Sequence, residues 1–398
     1  TPMAKEKVLV AGSLVLDIVA AVDDGADTRM LFAEGKQTEL KGVEMYLGGE
    51  VGNMGIALSK LGVPVTLVSK VGDDIGGRII RDFLKSFPVS AAVKTVKNLK
   101  STVSVCLTVP GKDKITFHKR GASQTFTPDD IDETLLRQVD LFHFGYPPTM
   151  ETLYDGEGKQ LLAMLQKAKN AGATTSIDMS LPSLASAAGQ INWRPILKKI
   201  LPYVDIFLPS LEESIFLWDR DRYIRLVEQA GNGNMVDWLT DGDACALAEN
   251  LLEFGAKIVL LKCGKKGMYL RTAELPDSMG RAQPDLRKWG RRELWEAPCD
   301  VQNIHSTTGA GDTAIAGFIA AYLNGCNPEQ TLQIASYTAA RCIEGYDTSG
   351  SLGNLKETIT QCAQYKKMTI PLDMKKWRPG GRTGLWVGNH DSTRTDTL

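Results

Sequence analysis

Short apolar runs alternate with amphipathic stretches over most of the 398-residue chain. Six runs have the length and composition of buried strands: residues 8–11, 65–71, 141–145, 174–179, 204–208 and 257–261. Between them, apolar residues recur at helical spacing, as at Met54, Ala57, Leu58 and Leu61 and again over residues 161–168. This rhythm predicts an α/β fold in which a central, mostly parallel sheet lies between helices. Ligands of such sheets bind at the carboxyl ends of the strands.

Two segments, from about residue 20 to 47 and from 102 to 121, break this rhythm with short strand-like runs and turns. They predict a small antiparallel sheet that projects from the core as a lid. Two long excursions between the predicted elements are interpreted as surface insertions: residues 219–241 and 274–303. We expect one domain over residues 1–372, with the lid inserted in it. The polar segment 373–398 is rich in Gly, Arg and Thr, so we expect it to be loosely held.

Composition narrows the classes of function. Lys and Arg number 46 against 47 Asp and Glu, so no basic field recruits nucleic acid or a membrane surface, and we expect a small-molecule partner. No apolar run reaches the roughly 18 residues that span a bilayer. No apolar signal-peptide core precedes residue 8, and the seven cysteines form no Cys-x-x-Cys pair. These features predict free thiols and a cytoplasmic location.

The most informative motif is Ser-Thr-Thr-Gly-Ala-Gly-Asp-Thr, which starts at residue 306 and precedes an apolar stretch that predicts a buried helix. The backbone amides of Gly309, Ala310 and Gly311 are expected to face one small volume at the helix N-terminus. Such a place attracts anions, because the first-turn N–H groups are unpaired and the helix dipole is positive there. The carboxylate of Asp312 fits this place if it takes a proton from a hydroxyl while the amides hold the phosphoryl group that the hydroxyl attacks.

Two further sequence features are suited to binding hydroxyl groups: a Gly-rich turn that contains an asparagine, and an aspartate. Gly48, Gly49 and Asn53 belong to a Gly-rich turn before a helix, where backbone can approach a ligand and the amide can donate and accept hydrogen bonds. The alternative is a structural turn with Asn as a helix cap. Asp17 follows the first predicted strand and could accept hydrogen bonds from neighbouring sugar hydroxyls, or it could be a solvated loop residue.

The last two candidates concern a metal ion and a nucleotide. Glu213 lies at the start of a predicted helix, where it either favours the helix dipole or holds Mg²⁺ through water. Lys262 precedes a turn that contains Gly264 and Gly267. Such a turn is typical of a hairpin, with a phosphate site as the alternative. Neither a Walker A motif nor a Rossmann fingerprint occurs in the chain.

Taken in order, Asp17, Gly48-Gly49 with Asn53, Glu213, the Gly264–Gly267 turn and Gly-Ala-Gly-Asp312 resemble the ribokinase-like (PfkB-type) carbohydrate kinase family. The resemblance runs from residue 8 to about residue 365. It implies a three-layer αβα fold with a small β-sheet lid that closes over the sugar and often dimerises.

The resemblance also implies a role for each candidate. Asp312 would be the catalytic base, and Gly309, Ala310 and Gly311 would form the anion hole for the γ-phosphoryl group of ATP. The substrate hydroxyls would be held by four residues: Asp17, Gly48, Gly49 and Asn53. The nucleotide would be bordered by Lys262, Gly264, Gly267 and Gly311, with the adenine beside residues 339–350. Glu213 would bind Mg²⁺.

Three positions depart from the family pattern. Ser210 stands where the family usually has an asparagine, so metal and phosphate contacts are expected to be rearranged. Ser306 replaces an aspartate that helps to bind a monovalent cation in ribokinase. Asp178 matches an Asp-Pro-Asn-x-Arg element, but the arginine is absent, which favours an unphosphorylated substrate.

The sequence therefore predicts an ATP-dependent kinase that phosphorylates a hydroxyl of a small carbohydrate. One alternative is a nucleoside or vitamin-like alcohol kinase of the same family. The other is a non-catalytic sugar- or nucleotide-binding protein on this scaffold, which the altered Ser210 and Ser306 suggest. A homodimer that forms through the lid is also expected.

Overall fold

The structure, a computed structural model, describes residues 7–23, 31, 33–35, 37–108, 115–231, 233–276, 278–345 and 351–393. The strands are β1 (Val8–Gly12), β2 (Val15–Val22), β3 (Leu40–Gly48), β4 (Val65–Gly72), β5 (Ser90–Val96), β6 (Val103–Thr108), β7 (Ile115–Lys119), β8 (Leu141–Gly145), β9 (Thr174–Ile177), β10 (Ile206–Phe207), β11 (Ile258–Lys262), β12 (Met268–Thr272), β13 (Glu293–Glu296), β14 (Arg378–Pro379) and β15 (Leu385–Val387). The α-helices are α1 (Gly49–Lys60), α2 (Ile75–Lys85), α3 (Glu133–Gln138), α4 (Glu151–Asn170), α5 (Ala187–Gln190), α6 (Trp193–Ile200), α7 (Leu211–Trp218), α8 (Arg220–Ala230), α9 (Asp241–Glu253), α10 (Leu286–Trp289), α11 (Ala310–Leu323), α12 (Pro328–Glu344) and α13 (Leu355–Cys362).

An eleven-stranded sheet runs through the centre in the order β14-β15-β13-β12-β11-β10-β9-β8-β1-β4-β5. The seven strands from β11 to β5 in this order are parallel, and the remaining pairs are antiparallel. The predicted mostly parallel sheet is confirmed. All six predicted central strands are present, with bounds shifted by up to two residues at either end.

Alternation along the strands sends side chains into two cores, one on each face of the sheet. Leu9 and Ala11 of β1 pack with the helices of one face, and Val8 and Val10 pack with α1, α11 and α12 on the other. Because successive strand residues point to opposite faces, a strand that is buried on both faces is mostly apolar, and β1 is apolar throughout. The result is three layers, helix on sheet on helix.

A separate four-stranded sheet, in the order β3-β2-β6-β7, forms the lid. Its outer pairs are antiparallel, but β2 and β6 are parallel. The lid strands begin earlier than expected, because β2 starts at Val15. Asp17 therefore lies inside a strand, and its interpretation as a solvated loop residue is wrong. Residues 109–114, which fall within the predicted lid segment 102–121, lie outside the described residues.

The segment near the C-terminus is packed against the main sheet, contrary to the prediction of a loose tail. Residues 375–393 are not loosely held, because β15 pairs with β13 and β14 pairs with β15 at the edge of the main sheet. Asp391 is 3% exposed and accepts from the guanidinium Nε of Arg292 at 2.9 Å. Glu296, also buried, accepts from Arg382 at 3.0 and 2.6 Å. Buried ion pairs and three apolar strand residues outweigh the polar composition.

The two expected insertions differ in character. Residues 274–303 are not a surface insertion, since they supply β13 and bury Trp289 and Trp295. Residues 219–241 form α8 and a short turn, and most of α8 is partly or fully exposed, with Tyr223 buried against Phe216. No helix among the described residues has the length and apolarity needed to cross a bilayer. The seven cysteines, which all lie among the described residues, form no disulfide bond.

Candidate functional site

The loop before α11 and the first turn of that helix form the centre of the site. Gly309 has a left-handed backbone, with φ at 73°, which glycine adopts without steric cost. The amide of Thr313 donates to the Gly309 carbonyl at 2.8 Å and closes the first turn. Asp312 is the third residue of the helix and is 3% exposed. The predicted buried helix is therefore present, and it starts where the sequence places it.

This first turn offers donors to an anion. Within the described part of the chain, the amides of Gly309 and Gly311 make no hydrogen bond, while the Ala310 amide lies 3.4 Å from the Thr307 carbonyl. A Cβ atom placed on Gly311 would lie 3.5 Å from the ammonium nitrogen of Lys262. The turn thus combines unpaired amides, the positive end of a helix dipole and a lysine charge.

Two side chains donate hydrogen bonds to the Asp312 carboxylate. Asn53 Nδ2, from the second turn of α1, donates to Oδ2 at 2.7 Å. The Tyr146 hydroxyl donates to Oδ1. The Asn53 amide oxygen is buried and has no partner among the described residues. The Asp312 carboxylate therefore accepts hydrogen bonds from two side chains, and it lies next to the Asn53 amide oxygen, which could accept a hydrogen bond from a ligand hydroxyl.

Tyr146 has an unusual backbone, with φ at 61° and ψ at 47°. Bulky residues seldom adopt this left-handed region, which costs of order 1–3 kcal/mol and persists only where the surroundings fix it. The Tyr146 amide donates to the Asp178 carbonyl at 3.3 Å, and Thr149 N donates to the Tyr146 carbonyl at 2.9 Å. These bonds aim the phenol at Asp312 from the carboxyl end of β8.

Lys262, at the carboxyl end of β11, is the cation of the site. Its ammonium lies 2.7 Å from Asp178 Oδ2, and both side chains are largely buried. Burial alone would lower the pKa of Lys262, but the carboxylates of Asp178, Glu213 and Glu50 outweigh burial and raise that pKa above its ordinary value. Burial raises the pKa of the Asp178 carboxyl to about 8, against the opposing effect of Lys262.

A buried chain of polar groups lies beside Asp312. His143 Nε2 is 3.2 Å from Glu50 Oε1, and His143 Nδ1 is 2.9 Å from Ser176 Oγ. Glu50, Asp178 and Asp312 each present an oxygen atom within 4.8 Å of the other two. Burial, then the charges of Asp312 and Asp178, raise the pKa of Glu50 well above its ordinary value. Burial and then Lys262 lower the pKa of His143 to about 3, so its ring is neutral.

Glu213 caps its own helix. Its carboxylate Oε2 accepts from the Ser210 amide at 2.7 Å, while Ser210 Oγ accepts from the Glu213 amide at 3.1 Å. This reciprocal capping box explains why serine is acceptable at position 210. Burial raises the pKa of Glu213, partly opposed by Lys262. Glu213 is thus a helix-capping residue, as its structural interpretation proposed, and its role as a metal ligand stays a prediction.

The lid sheet presents Asp17 in a row of polar side chains. In register, Asp17 lies between Tyr46 and Ser104, and Ser104 lies opposite His118. Ser104 Oγ is 2.9 Å from His118 Nδ1. A Cβ atom on Gly48 would lie 2.1 Å from Asp17 Oδ2, so only glycine lets this carboxylate approach the start of α1.

The Gly264–Lys266 turn joins the antiparallel strands β11 and β12, so it forms the hairpin that the sequence predicts. The Cys263 amide donates to the Gly267 carbonyl at 2.8 Å, and a Cβ atom on Gly267 would lie 1.9 Å from the Glu296 carbonyl oxygen. Gly264 is exposed, with open space around it. The nucleotide role of this turn stays a prediction. Part of the segment expected beside the adenine, 346–350, lies outside the described residues.

Sequence reasoning missed the roles of Tyr146, Glu50 and His143 in the site. Tyr146 lies 166 positions from Asp312 in the chain, and Glu50 lies 93 positions from His143. Tyr146 and His143 belong to or follow a predicted strand, at the end where ligands bind, which is the one signal that could have singled them out. Glu50 lies inside the Gly-rich motif, and its residue type alone does not indicate a site.

Three comparisons bear on this site. The family model of the "pfkB family carbohydrate kinase" matches residues 5–354. An uncharacterised sugar kinase of Archaeoglobus fulgidus is 26% identical over 292 residues, which cover 73% of this chain and 96% of that protein. A solved ribokinase of Arabidopsis thaliana, complexed with ribose and ATP, has a TM-score of 0.62 at 20% identity over 90% of this chain and 99% of its own.

A second solved structure, described as a ribokinase II of Escherichia coli with ATP and Mg²⁺, has a TM-score of 0.63 at 19% identity. It covers 90% of this chain and 99% of its own. At these identities the two structures establish the fold. The predicted ribokinase-like α/β fold with a separate small sheet is confirmed.

Proposed function

The chain belongs to the PfkB family of carbohydrate kinases, a family of phosphotransferases, and we propose that it transfers the γ-phosphoryl group of ATP to a hydroxyl of a small carbohydrate. One observation carries this proposal. The Asp312 carboxylate lies in the first turn of α11, beside unpaired amides and the Lys262 ammonium. A base and an anion site in one place suit transfer of a phosphoryl group to a hydroxyl.

In the proposed reaction, Asp312 accepts the proton of the acceptor hydroxyl as that oxygen attacks the γ-phosphorus. The amides of Gly309, Ala310 and Gly311 and the ammonium of Lys262 stabilise charge on the phosphoryl oxygens. Such transfer depends mostly on positioning and electrostatics. The Tyr146 hydroxyl already donates to Asp312 Oδ1, as an acceptor hydroxyl would, so we infer that the acceptor displaces it.

The acceptor is proposed to bind between the lid and α1. Asn53 lends support because its buried amide oxygen has no partner among the described residues. Asp17, on the lid, and the backbone of Gly48 and Gly49 would complete the contacts to hydroxyls. A nucleoside or vitamin-like alcohol remains the alternative acceptor, since these groups bind hydroxyls without identifying the rest of the molecule.

ATP and Mg²⁺ are proposed as cosubstrate and metal, in keeping with the similar fold that holds both. Glu213 suits a hydrated Mg²⁺ because the capping box engages one carboxylate oxygen and leaves the other for a metal-bound water. When bound, the ion would neutralise phosphate charge. Gly264 and Gly267 are proposed to border the nucleotide. Because the reaction consumes ATP, the cytoplasm stays our proposed location.

A homodimer through the lid is proposed from the outer face of that sheet. Met45, Ile18, Val105 and Phe117 form one cross-strand row, and three of them are exposed by 38–51%. An exposed apolar face of this kind suits a second copy of the same sheet. Val105→Lys should convert a dimer to a monomer in light scattering. A wild-type chain that is monomeric at high concentration would contradict the proposal.

The function is tested by ADP release with a panel of sugars, polyols and nucleosides. Asp312→Asn should lower turnover by about 10²–10⁴-fold, the usual contribution of a general base, while ATP still binds. Asp219→Asn, which changes an aspartate that caps α8, is the control and should retain activity. Near-normal turnover of Asp312→Asn would exclude Asp312 as the general base. Binding of sugar without any ADP release by the wild type would favour the non-catalytic alternative.

A further inference from the structure

Glu50 has surroundings that an ionised carboxylate does not tolerate. The residue is fully buried, and a Cβ atom on Gly145 would lie 1.9 Å from its Cγ, so the chain has made room for it. One oxygen faces His143 Nε2, and the other, Oε2, has no hydrogen-bond donor among the described residues. The carboxyl also lies within 4.8 Å of carboxylate oxygens of Asp178 and Asp312.

The charged groups around Glu50 do not neutralise it. His143 is neutral, and its hydrogen bonds are consistent with Nε2–H donating to Glu50 while Ser176 donates to Nδ1. Lys262, the ammonium that the described residues place beside this cluster, is 2.7 Å from Asp178 Oδ2, where it favours the ionised form of that carboxyl against the opposing effect of burial. Asp312 is the remaining neighbour. Two carboxyls this close in a buried site do not both ionise, so one of them retains a proton.

We propose that Glu50 retains this proton and donates it, through Oε2, to the Asp312 carboxylate, and so acts as a positioning residue for the base. This inference rests on the proposed function of Asp312. The burial of Glu50 and the raised pKa of its carboxyl agree with the assignment. A proton on Oε2 also gives that orphaned oxygen a partner, which a buried polar atom requires.

The arrangement gives Asp312 two kinds of donor. Asn53 and Glu50 belong to the same helix, α1, and stay in place during the reaction. The Tyr146 hydroxyl is the donor that the acceptor replaces. Two permanent donors hold the carboxylate in one orientation, so that a free lone pair of Oδ1 faces the incoming hydroxyl.

Two substitutions test the pairing through the pH profile of kcat/KM, whose acid limb reports an essential base of the free enzyme. Glu50→Gln is neutral and keeps an N–H donor, so the acid limb should stay within about half a pH unit. Glu50→Met has similar length and no donor, so the limb should move to higher pH by about one unit, because a carboxylate that loses a donor binds its proton more tightly.

Other outcomes overturn the proposal. A limb that moves to lower pH in Glu50→Gln would mean that Glu50 is ionised in the wild type. An unchanged limb in both variants would mean that Glu50 and Asp312 are not coupled.

Infrared spectroscopy provides a readout that needs no catalysis and no Met variant. At pH 7, the wild-type minus Glu50→Gln difference spectrum should contain the C=O band of one protonated carboxylic acid. Absence of that band overturns the pairing. If the wild type phosphorylates no acceptor but the band is present, the proposed function fails while the shared proton stands.

Discussion

Loss of the Asp391 carboxylate should destabilise the whole protein, although this residue lies in the segment 373–398, whose composition predicts a loose tail. Asp391 Oδ2 accepts from Arg292 Nε at 2.9 Å and from the Glu293 amide at 2.8 Å, and Oδ1 accepts from the amide and hydroxyl of Thr393. The side chains of Arg292 and Asp391 are 3% and 0% exposed. Asp391→Ala would therefore leave the buried Nε–H of Arg292 and the buried amide of Glu293 without an acceptor.

Breaking one side of a buried ion pair costs about 3–5 kcal/mol. Arg292 keeps its contact with Glu329 and its 2.8 Å bond to the Lys288 carbonyl, so we expect the lower half of that range. Urea unfolding followed by tryptophan fluorescence measures the change, because Trp377 and Trp386 lie in the same segment. The control is Asp82→Ala, which removes an exposed ion pair with Lys85 and should leave the midpoint unchanged. Equal midpoints for the two variants would refute a docked C-terminal segment.

Three further predictions concern the site. Tyr146→Phe removes the donor that the acceptor must displace, so the KM for the acceptor should fall up to about tenfold at similar kcat, whereas a large loss of kcat would give Tyr146 a role in the transition state. Lys262→Met should lower kcat/KM for ATP by about 10²-fold in an ADP-release assay, and an unchanged value would exclude a phosphate contact. His143 has a pKa of about 3 in the folded protein and about 6.5 in the unfolded chain. Below about pH 6.5 the unfolded chain therefore binds more protons at this residue, so the contribution of His143 to the free energy of unfolding decreases as the pH falls. Between pH 7 and pH 5, the wild type should therefore lose about 2 kcal/mol more stability than His143→Gln in urea unfolding, and equal changes in the two proteins would contradict the low pKa of His143.

The parts of the site that were predicted from sequence are local ones. The four residues from Gly309 to Asp312 and the apolar stretch after them determine a helix N-terminus by themselves, so no distant contact is needed to place it. Tyr146 and Glu50 reach Asp312 through tertiary packing, and their types alone do not indicate a site. The sequence does not reveal that Asp17 lies in a strand, because β2 follows β1 after only two residues and the break between them is not visible in composition.

The edge of the main sheet is a second part of the structure that local sequence patterns do not predict. Strand β15 has three residues in a stretch rich in Gly and Arg, too short for its period to be recognised. Its stability depends on Glu293 and Glu296, whose burial follows from their pairing with Arg271, Arg382 and Lys367. Charged residues are usually exposed, so sequence patterns score such a strand as surface. Only the assembled ion pairs reverse that expectation.

The junction between the lid and the core has a mechanical consequence. Strand β3 of the lid ends at Gly48 and helix α1 begins at Gly49, without an intervening loop. Gly49 has φ at 72°, and a Cβ atom there would lie 2.4 Å from the Ser13 carbonyl oxygen, so any other residue at this junction would clash with the backbone. The chain also passes between lid and core after β1, before β6 and after β7, but only here does a lid strand run straight into the helix that carries Asn53. Under the proposed function, an acceptor that binds to the lid would therefore act on the start of the helix whose Asn53 holds Asp312.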